Sequence, residues 1–153
     1  MNIAFFLTPK KDVVYLKTTN TLLEALEIMD KCRFTAVPLI NDKGKYVGTL
    51  TEGDLLYRFK KDKTASLLDM KDISLQDVQR YKSNKPVSIN SDIEGLITLA
   101  KYQNFIPVVD DNSTFIGIIK RSDIISYCYE RIFNENKYKT SPHYQILENV
   151  ANN

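Results

Sequence analysis

Hydrophobic positions along this chain fall into short blocks whose spacing alternates between that of a helix and that of a strand. Leu22, Leu23, Leu26 and Met29 recur at helical spacing after Thr21, a residue suited to capping a helix start. Ile93, Leu96, Ile97, Leu99 and Ala100 do the same after Ser91-Asp92. Each helix feeds a short apolar strand that ends in a polar turn, Asp42-Lys43-Gly44-Lys45 in one case and Asp110-Asp111-Asn112-Ser113 in the other. A second apolar strand follows, over residues 46–50 or 115–119, and then a further helix, about 52–59 or 122–133. Residues 13–16 and 86–89 supply a strand before each first helix. The pattern predicts an α/β (α+β) fold of two tandem βαββα units. One such unit has too little core to stand alone, so the two are expected to pack sheet to sheet.

The two units are copies. Thr35-Ala36-Val37-Pro38-Leu39-Ile40 matches Asn104-Phe105-Ile106-Pro107-Val108-Val109, and Gly48-x-x-Thr51-x-x-Asp54 matches Gly117-x-x-Lys120-x-x-Asp123. Proline, glycine and aspartate all keep one separation of 69 residues. The division expected is 1–68 for the first repeat, 69–133 for the second and 134–153 for a C-terminal extension. Polar residues 60–71 read as the connector, and residues 75–78 as a helical turn opening the second unit. Beyond Asn134 the chain is polar until Tyr144, Ile146, Leu147 and Val150, which fits a short docked helix or a loose tail. The apolar start, residues 1–7, is short and ends at Thr8-Pro9, so it reads as a buried first turn and not as a signal peptide.

Composition narrows the function classes. With 43% hydrophobic and 26% charged residues, the 153-residue chain has the balance of an ordinary globule. Its 21 basic and 19 acidic residues leave a net charge of +2, which gives nucleic acid binding little encouragement. No apolar run approaches membrane-spanning length. Cys32 and Cys128 form neither a disulfide framework nor a metal spacing, and the single histidine, His143, rules out a multi-histidine site. A reduced, cytoplasmic protein with no metal and no membrane partner is expected.

The Gly48-x-x-Thr51-x-x-Asp54 string, whose glycine and aspartate recur in the second copy, carries the candidate chemistry. Gly48 would let a ligand approach the backbone. Thr51 stands where a helix begins, where its hydroxyl and free backbone N–H groups suit a phosphate. Asp54, one turn on and on the same face, could accept hydrogen bonds from the hydroxyls of a ribose. Thr-then-Asp at a helix start is also a common capping arrangement; repetition in register, each time beyond a proline-containing strand, tips the weighing toward a ligand.

These motifs, together with Leu7-Thr8-Pro9 and Leu23-Glu24-Ala25-Leu26-x-x-Met29, resemble the cystathionine-beta-synthase (CBS) domain. Two copies resemble the tandem pair called a Bateman module, from about Leu7 to Tyr129. The resemblance implies a regulatory module that binds AMP, ADP, ATP, S-adenosylmethionine or cyclic di-AMP between its repeats and pairs into a homodimer. It implies that Thr51 holds phosphate and Asp54 ribose, with Thr35, Ala36, Val37 and Pro38 around the base. In the second cleft Asp123 takes the ribose and Asn104, Phe105, Ile106 and Pro107 surround the base. Phe105 could stack on a base or fill a core. Lys120 departs from the family's Ser or Thr, with Arg121 beside it. Two cations at a helix start oppose the helix dipole, which fits an anion bound between them; the alternative is a vacant site with both cations solvated.

No nucleophile–base–orienter set is visible, so no catalytic residue is expected. The leading expectation is a non-catalytic nucleotide sensor that signals to a separate, unidentified partner protein. Its rival is a ligand-free structural or interaction module with degenerate clefts.

Overall fold

The structure is a computed structural model; it describes residues 2–61, 66, 69–82 and 84–139, with side chains through 133. The candidate apolar positions 144, 146, 147 and 150, and His143, lie outside the described residues.

Both repeats form as the periodicity predicts. In the first, β2 (Leu16–Lys17) leads into α1 (Leu22–Cys32), then β3 (Ala36–Ile40), β4 (Tyr46–Thr51) and α2 (Glu52–Lys61); β1 (Leu7–Pro9) precedes them. In the second, β5 (Val87–Ser88), α3 (Ile93–Ala100), β6 (Phe105–Val109), β7 (Phe115–Lys120) and α4 (Arg121–Lys139) follow the same order. The strand before each first helix is shorter than expected, two residues in each case. Conversely α4 runs on to Lys139, through positions that show no apolar periodicity.

Local chemistry sets the boundaries. Thr21 and Glu24 form a reciprocal capping box: the Thr21 hydroxyl accepts from the Glu24 N–H, and the Glu24 carboxylate accepts from the Thr21 N–H at 2.8 Å. That backbone hydrogen bond holds the Glu24 carboxyl below its ordinary range. The hairpin turns are organised by Asn41 and Asp110, 69 residues apart. Asn41 Oδ1 accepts from the N–H groups of Lys43 and Lys45, and Asp110 Oδ1 from those of Asn112 and Thr114.

Within each repeat the first strand pairs in parallel with the next across a helix, and the hairpin pairs antiparallel: β2 with β3 and β3 with β4, then β5 with β6 and β6 with β7. The N-terminal strand does not join its own repeat. β1 pairs antiparallel with β7, Leu7 opposite Ile119 and Pro9 opposite Gly117, so the second sheet has order β1-β7-β6-β5. The cores follow suit. Ile3, in a 3-10 turn before β1, is fully buried among Leu96, Ile106, Val108 and Ile119 of the second repeat. Met70, Leu75 and Val78 are buried with Leu16, Leu22, Val37 and Leu50 of the first. The expected turn at residues 75–78 does form, as a 3-10 turn over Leu75–Asp77, but its apolar side chains complete the core of the repeat before it.

The sheets meet near an approximate twofold axis. Lys45 bridges to Thr114, and Tyr46 stacks on Phe115 with ring centroids 6.4 Å apart; both pairs are 69 residues apart in sequence. The Tyr46 hydroxyl lies 2.7 Å from Thr49 Oγ1 and donates to the Asn84 carbonyl.

The crossing of β1 over β7 fixes a glycine. At Gly117 (φ +158°) a Cβ would collide with the Thr8 carbonyl oxygen, whereas one at exposed Gly95 within α3 would meet nothing within 4 Å. Gly117→Ala is expected to cost about 3 kcal/mol. Gly95→Ala should instead add about 0.5–1 kcal/mol. Urea titration of the two variants checks both signs. Burial pushes the Tyr46 phenol up to about 12. Its neutral form is therefore favoured by folding, so this stability is complete below the unfolded value of roughly 10 and is lost as pH rises toward the folded value. Alkaline unfolding should steepen between those values and flatten in Tyr46→Phe, followed by circular dichroism.

Candidate functional site: two clefts between the repeats

Strand alternation divides each repeat's central strand between core and cleft. Val37 and Leu39 enter the first core while Ala36 and Pro38 face the other sheet; Ile106 and Val108 enter the second core while Phe105 faces a cleft. Two clefts result, related by the same twofold. Thr35, Ala36 and Asn104 line both.

The first cleft, of about 440 Å³, opens at the corner from β4 into α2. Thr35, Ala36, Thr51 and Asp54 line it, joined by Asn104, Tyr81, Lys82, Asn84 and Tyr102, whereas Pro38 lines the other cleft. Thr51 and Asp54 cap the helix reciprocally. The Asp54 carboxylate accepts from both the N–H and the hydroxyl of Thr51 at 2.8 Å, and the Thr51 hydroxyl accepts from the Asp54 N–H at 3.2 Å. The other carboxylate oxygen accepts from the Tyr81 N–H at 2.9 Å, and Asp54 is only 1% exposed. The N–H of Glu52 donates to the Thr35 carbonyl. Gly48 does not open the backbone to a ligand. Its vacant side-chain position is filled from the inter-repeat segment, where a Cβ would come 2.7 Å from Arg80 Nε.

The second cleft, of about 610 Å³, opens at the corner from β7 into α4. Pro38, Phe105, Val13 and Val14 give it apolar walls; Lys120, Arg121 and Arg33 bring three cations, and Asp12 one carboxylate. Phe105 is only 7% exposed, so it packs as core on one side and forms cleft wall on the other. The Arg121 N–H donates to the Asn104 carbonyl, matching Glu52 and Thr35. Lys120 lacks the hydroxyl that Thr51 uses, and a lysine ammonium accepts nothing. Asp123 is half-buried on the first turn of α4 and, among the described residues, meets only the Ser122 hydroxyl, at 3.3 Å.

Of the candidate residues, Val37, Ile106 and Pro107 are buried away from both clefts, and Asp123 stands outside the second cleft's wall. Motif reading missed the walls contributed by the segments that open each repeat. Thr8, Asp12, Val13 and Val14 line the second cleft, and Tyr81, Lys82 and Asn84 the first. The signal lay in the place of these segments just ahead of each short first strand, where Leu16 and Val87 pair alike with Leu39 and Val108. Among the described residues no group of three or more His, Cys, Asp or Glu could hold a metal, and no helix is long and apolar enough to cross a membrane.

Comparison with known proteins agrees with this architecture. The chain is 30% identical over 115 residues to inosine-5'-monophosphate dehydrogenase of Methanocaldococcus jannaschii, a match that covers 75% of this chain but 21% of that enzyme. The fold is similar to that of CbpB solved in complex with c-di-AMP, with a TM-score of 0.77, 21% identity and 90% of each chain covered. CBSX2 solved in complex with AMP is similar as well, at a TM-score of 0.65 and 24% identity over 84% of this chain and 96% of that one. The CBS domain family model matches twice, over residues 6–61 and 77–130, each match holding one strand-to-helix corner; the chain belongs to the CBS domain family, as a tandem pair.

Proposed function

We propose that this CBS pair is a non-catalytic regulatory module that takes an adenine nucleotide in its second cleft and reports occupancy to a separate partner protein. The observation that carries this reading is the corner at Lys120 and Arg121: two cations at a helix start, beside an apolar wall formed by Phe105, Ala36 and Pro38. Cations there oppose the helix dipole, and an anion between them removes the conflict. Because Lys120 supplies no acceptor, the helix start is left for phosphate oxygens. In this reading Lys120 and Arg121 hold phosphate, Asp123 turns to the ribose, and Phe105, Ala36 and Pro38 cover the base, with Thr35 and Asn104 at its polar edge. The complexes of CbpB with c-di-AMP and of CBSX2 with AMP support the ligand class. AMP, ADP, ATP, S-adenosylmethionine and cyclic di-AMP are the candidates. Cyclic di-AMP and ATP suit a corner with two cations best.

A ligand-free interaction module is the second reading. It is favoured by the first cleft, where Asp54 is spent on partners within the protein. Calorimetric titration with AMP, ATP, S-adenosylmethionine and cyclic di-AMP separates the two. Binding that weakens roughly ten- to hundredfold in Lys120→Ala/Arg121→Ala, the loss of one or two charge-assisted hydrogen bonds, is expected. Silence from every nucleotide with folded protein would leave the interaction module.

The helices also favour a homodimer. Ile97, Ile125, Tyr129, Ile132 and Phe133 line a groove between α3 and α4, and Leu26, Met29, Leu55, Leu56 and Phe59 line its counterpart between α1 and α2. Ile125, Tyr129 and Ile132 are each more than half exposed. Two like grooves related by the internal twofold suit a second copy presenting the same pair. Light scattering should report a dimer that Ile125→Asp/Ile132→Asp converts to monomer; a monomeric wild type would contradict the pairing.

A further inference from the structure

Asp54 sits where a nucleotide's ribose would be expected, yet its carboxylate is engaged from both sides by the protein. One oxygen serves Thr51, and the other accepts from the Tyr81 N–H at 2.9 Å. Tyr81 is held in turn. Its ring meets that of Tyr57 edge-on, with centroids 5.2 Å apart, and the Lys61 ammonium lies 5.6 Å from its centroid. Just before it, Gln79 Oε1 accepts from Lys61 at 2.8 Å, and Arg80 fills the space over Gly48. Residues 79–81 are therefore held at the first corner by Asp54, Tyr57, Lys61 and the strand at Gly48. The short first strands set the register here, Leu16 on Leu39 as Val87 on Val108, so the position equivalent to Tyr81 is Lys10; it does not line the second cleft, and Asp123 there has no matching backbone donor among the described residues.

We propose that Tyr81 is a built-in competitor for Asp54: its N–H takes one acceptor position of Oδ1 and the carboxylate beneath it is buried, so the ribose of a nucleotide in the first cleft reaches Asp54 only by displacing residues 79–81. The two clefts are thus unequal by construction. Resting on the nucleotide reading above, the resting chain binds one ligand, in the second cleft. A ligand in the first cleft must give up roughly a tenfold or larger share of its affinity to release the segment. Because residues 79–81 also carry Arg80 across β4, their release would loosen the seam between the repeats, which gives first-cleft occupancy a mechanical output.

Two measurements test this. Amide hydrogen exchange, read at Tyr81 in the absence of nucleotide, should show protection that falls at least tenfold in Asp54→Ala. Calorimetry with ATP, AMP and cyclic di-AMP should give one site per chain in the wild type, two in Tyr81→Pro, which lacks the N–H, and one again in Tyr81→Pro/Asp54→Ala. Two sites filled in the wild type with the Tyr81 amide still protected would overturn the proposal, as would a folded Tyr81→Pro that gains no site. If no nucleotide binds any variant, the receptor reading fails. The competitor is then judged on the amide alone: it stands if Asp54→Ala removes the protection and falls if Tyr81 exchanges freely in the wild type.

Discussion

Each repeat's core is closed by residues that the chain supplies from outside that repeat, and this exchange governs the rest of the molecule. Ile3 and β1 complete the second sheet and its core; Met70, Leu75 and Val78 complete the first. Burying each such side chain contributes about 1.5–3 kcal/mol, so neither repeat keeps a full core when separated from the segment that the other half of the chain delivers. The crossing also explains where the clefts are. A segment that travels to the opposite sheet must pass the strand-to-helix corner at the edge of that sheet. It leaves Thr8 and Val13 in one cleft and Tyr81 and Lys82 in the other.

The architecture was largely legible because its signals are local. Thr21 and Glu24 announce a helix start, and Leu22, Ala25 and Met29 trace its buried stripe. Asn41 and Asp110 announce hairpins through hydrogen bonds that reach no further than four residues. The 69-residue register then carries the hairpins and the corners that follow them from one half to the other, while the first strands and helices stand two residues further apart. What local pattern could not show was which sheet the chain start would join. Leu7-Thr8-Pro9 has the composition of an edge strand in either sheet, and only the absence of a side chain at Gly117 makes room for it on β7. The same nonlocality hid the second role of glycine: Gly48 and Gly117 admit a crossing chain in place of a ligand.

The candidate site was legible in its motif residues and less so in their duties. Thr51 and Asp54 read equally as a helix cap and as a ligand pair, since the same two groups at the same spacing serve both. Geometry separates them, because a buried carboxylate with three donors already in place has its partners inside the protein. Alternation was the other obstacle. A strand of successive apolar residues such as Phe105–Val109 does not reveal which alternate set faces the core, and Ile106 and Phe105 went opposite ways.

Duplication explains why the clefts could diverge without damage to the fold. A threonine at the corner both donates to the aspartate one turn on and accepts from its N–H, so the motif is self-sufficient when empty. Replacing it by lysine breaks that reciprocity, because lysine only donates. The second copy therefore keeps its aspartate and its helix but loses the internal acceptor, while gaining two positive charges at the end of the helix where they are least favoured. That combination is costly in an empty cleft, and under the proposed function an oxyanion relieves it. The first copy, with its cap closed and its aspartate shared with Tyr81, is stable without one. The two corners are thus unlike, Lys120 and Arg121 standing in one where Thr51 and Glu52 stand in the other, with the crossing segments lining both.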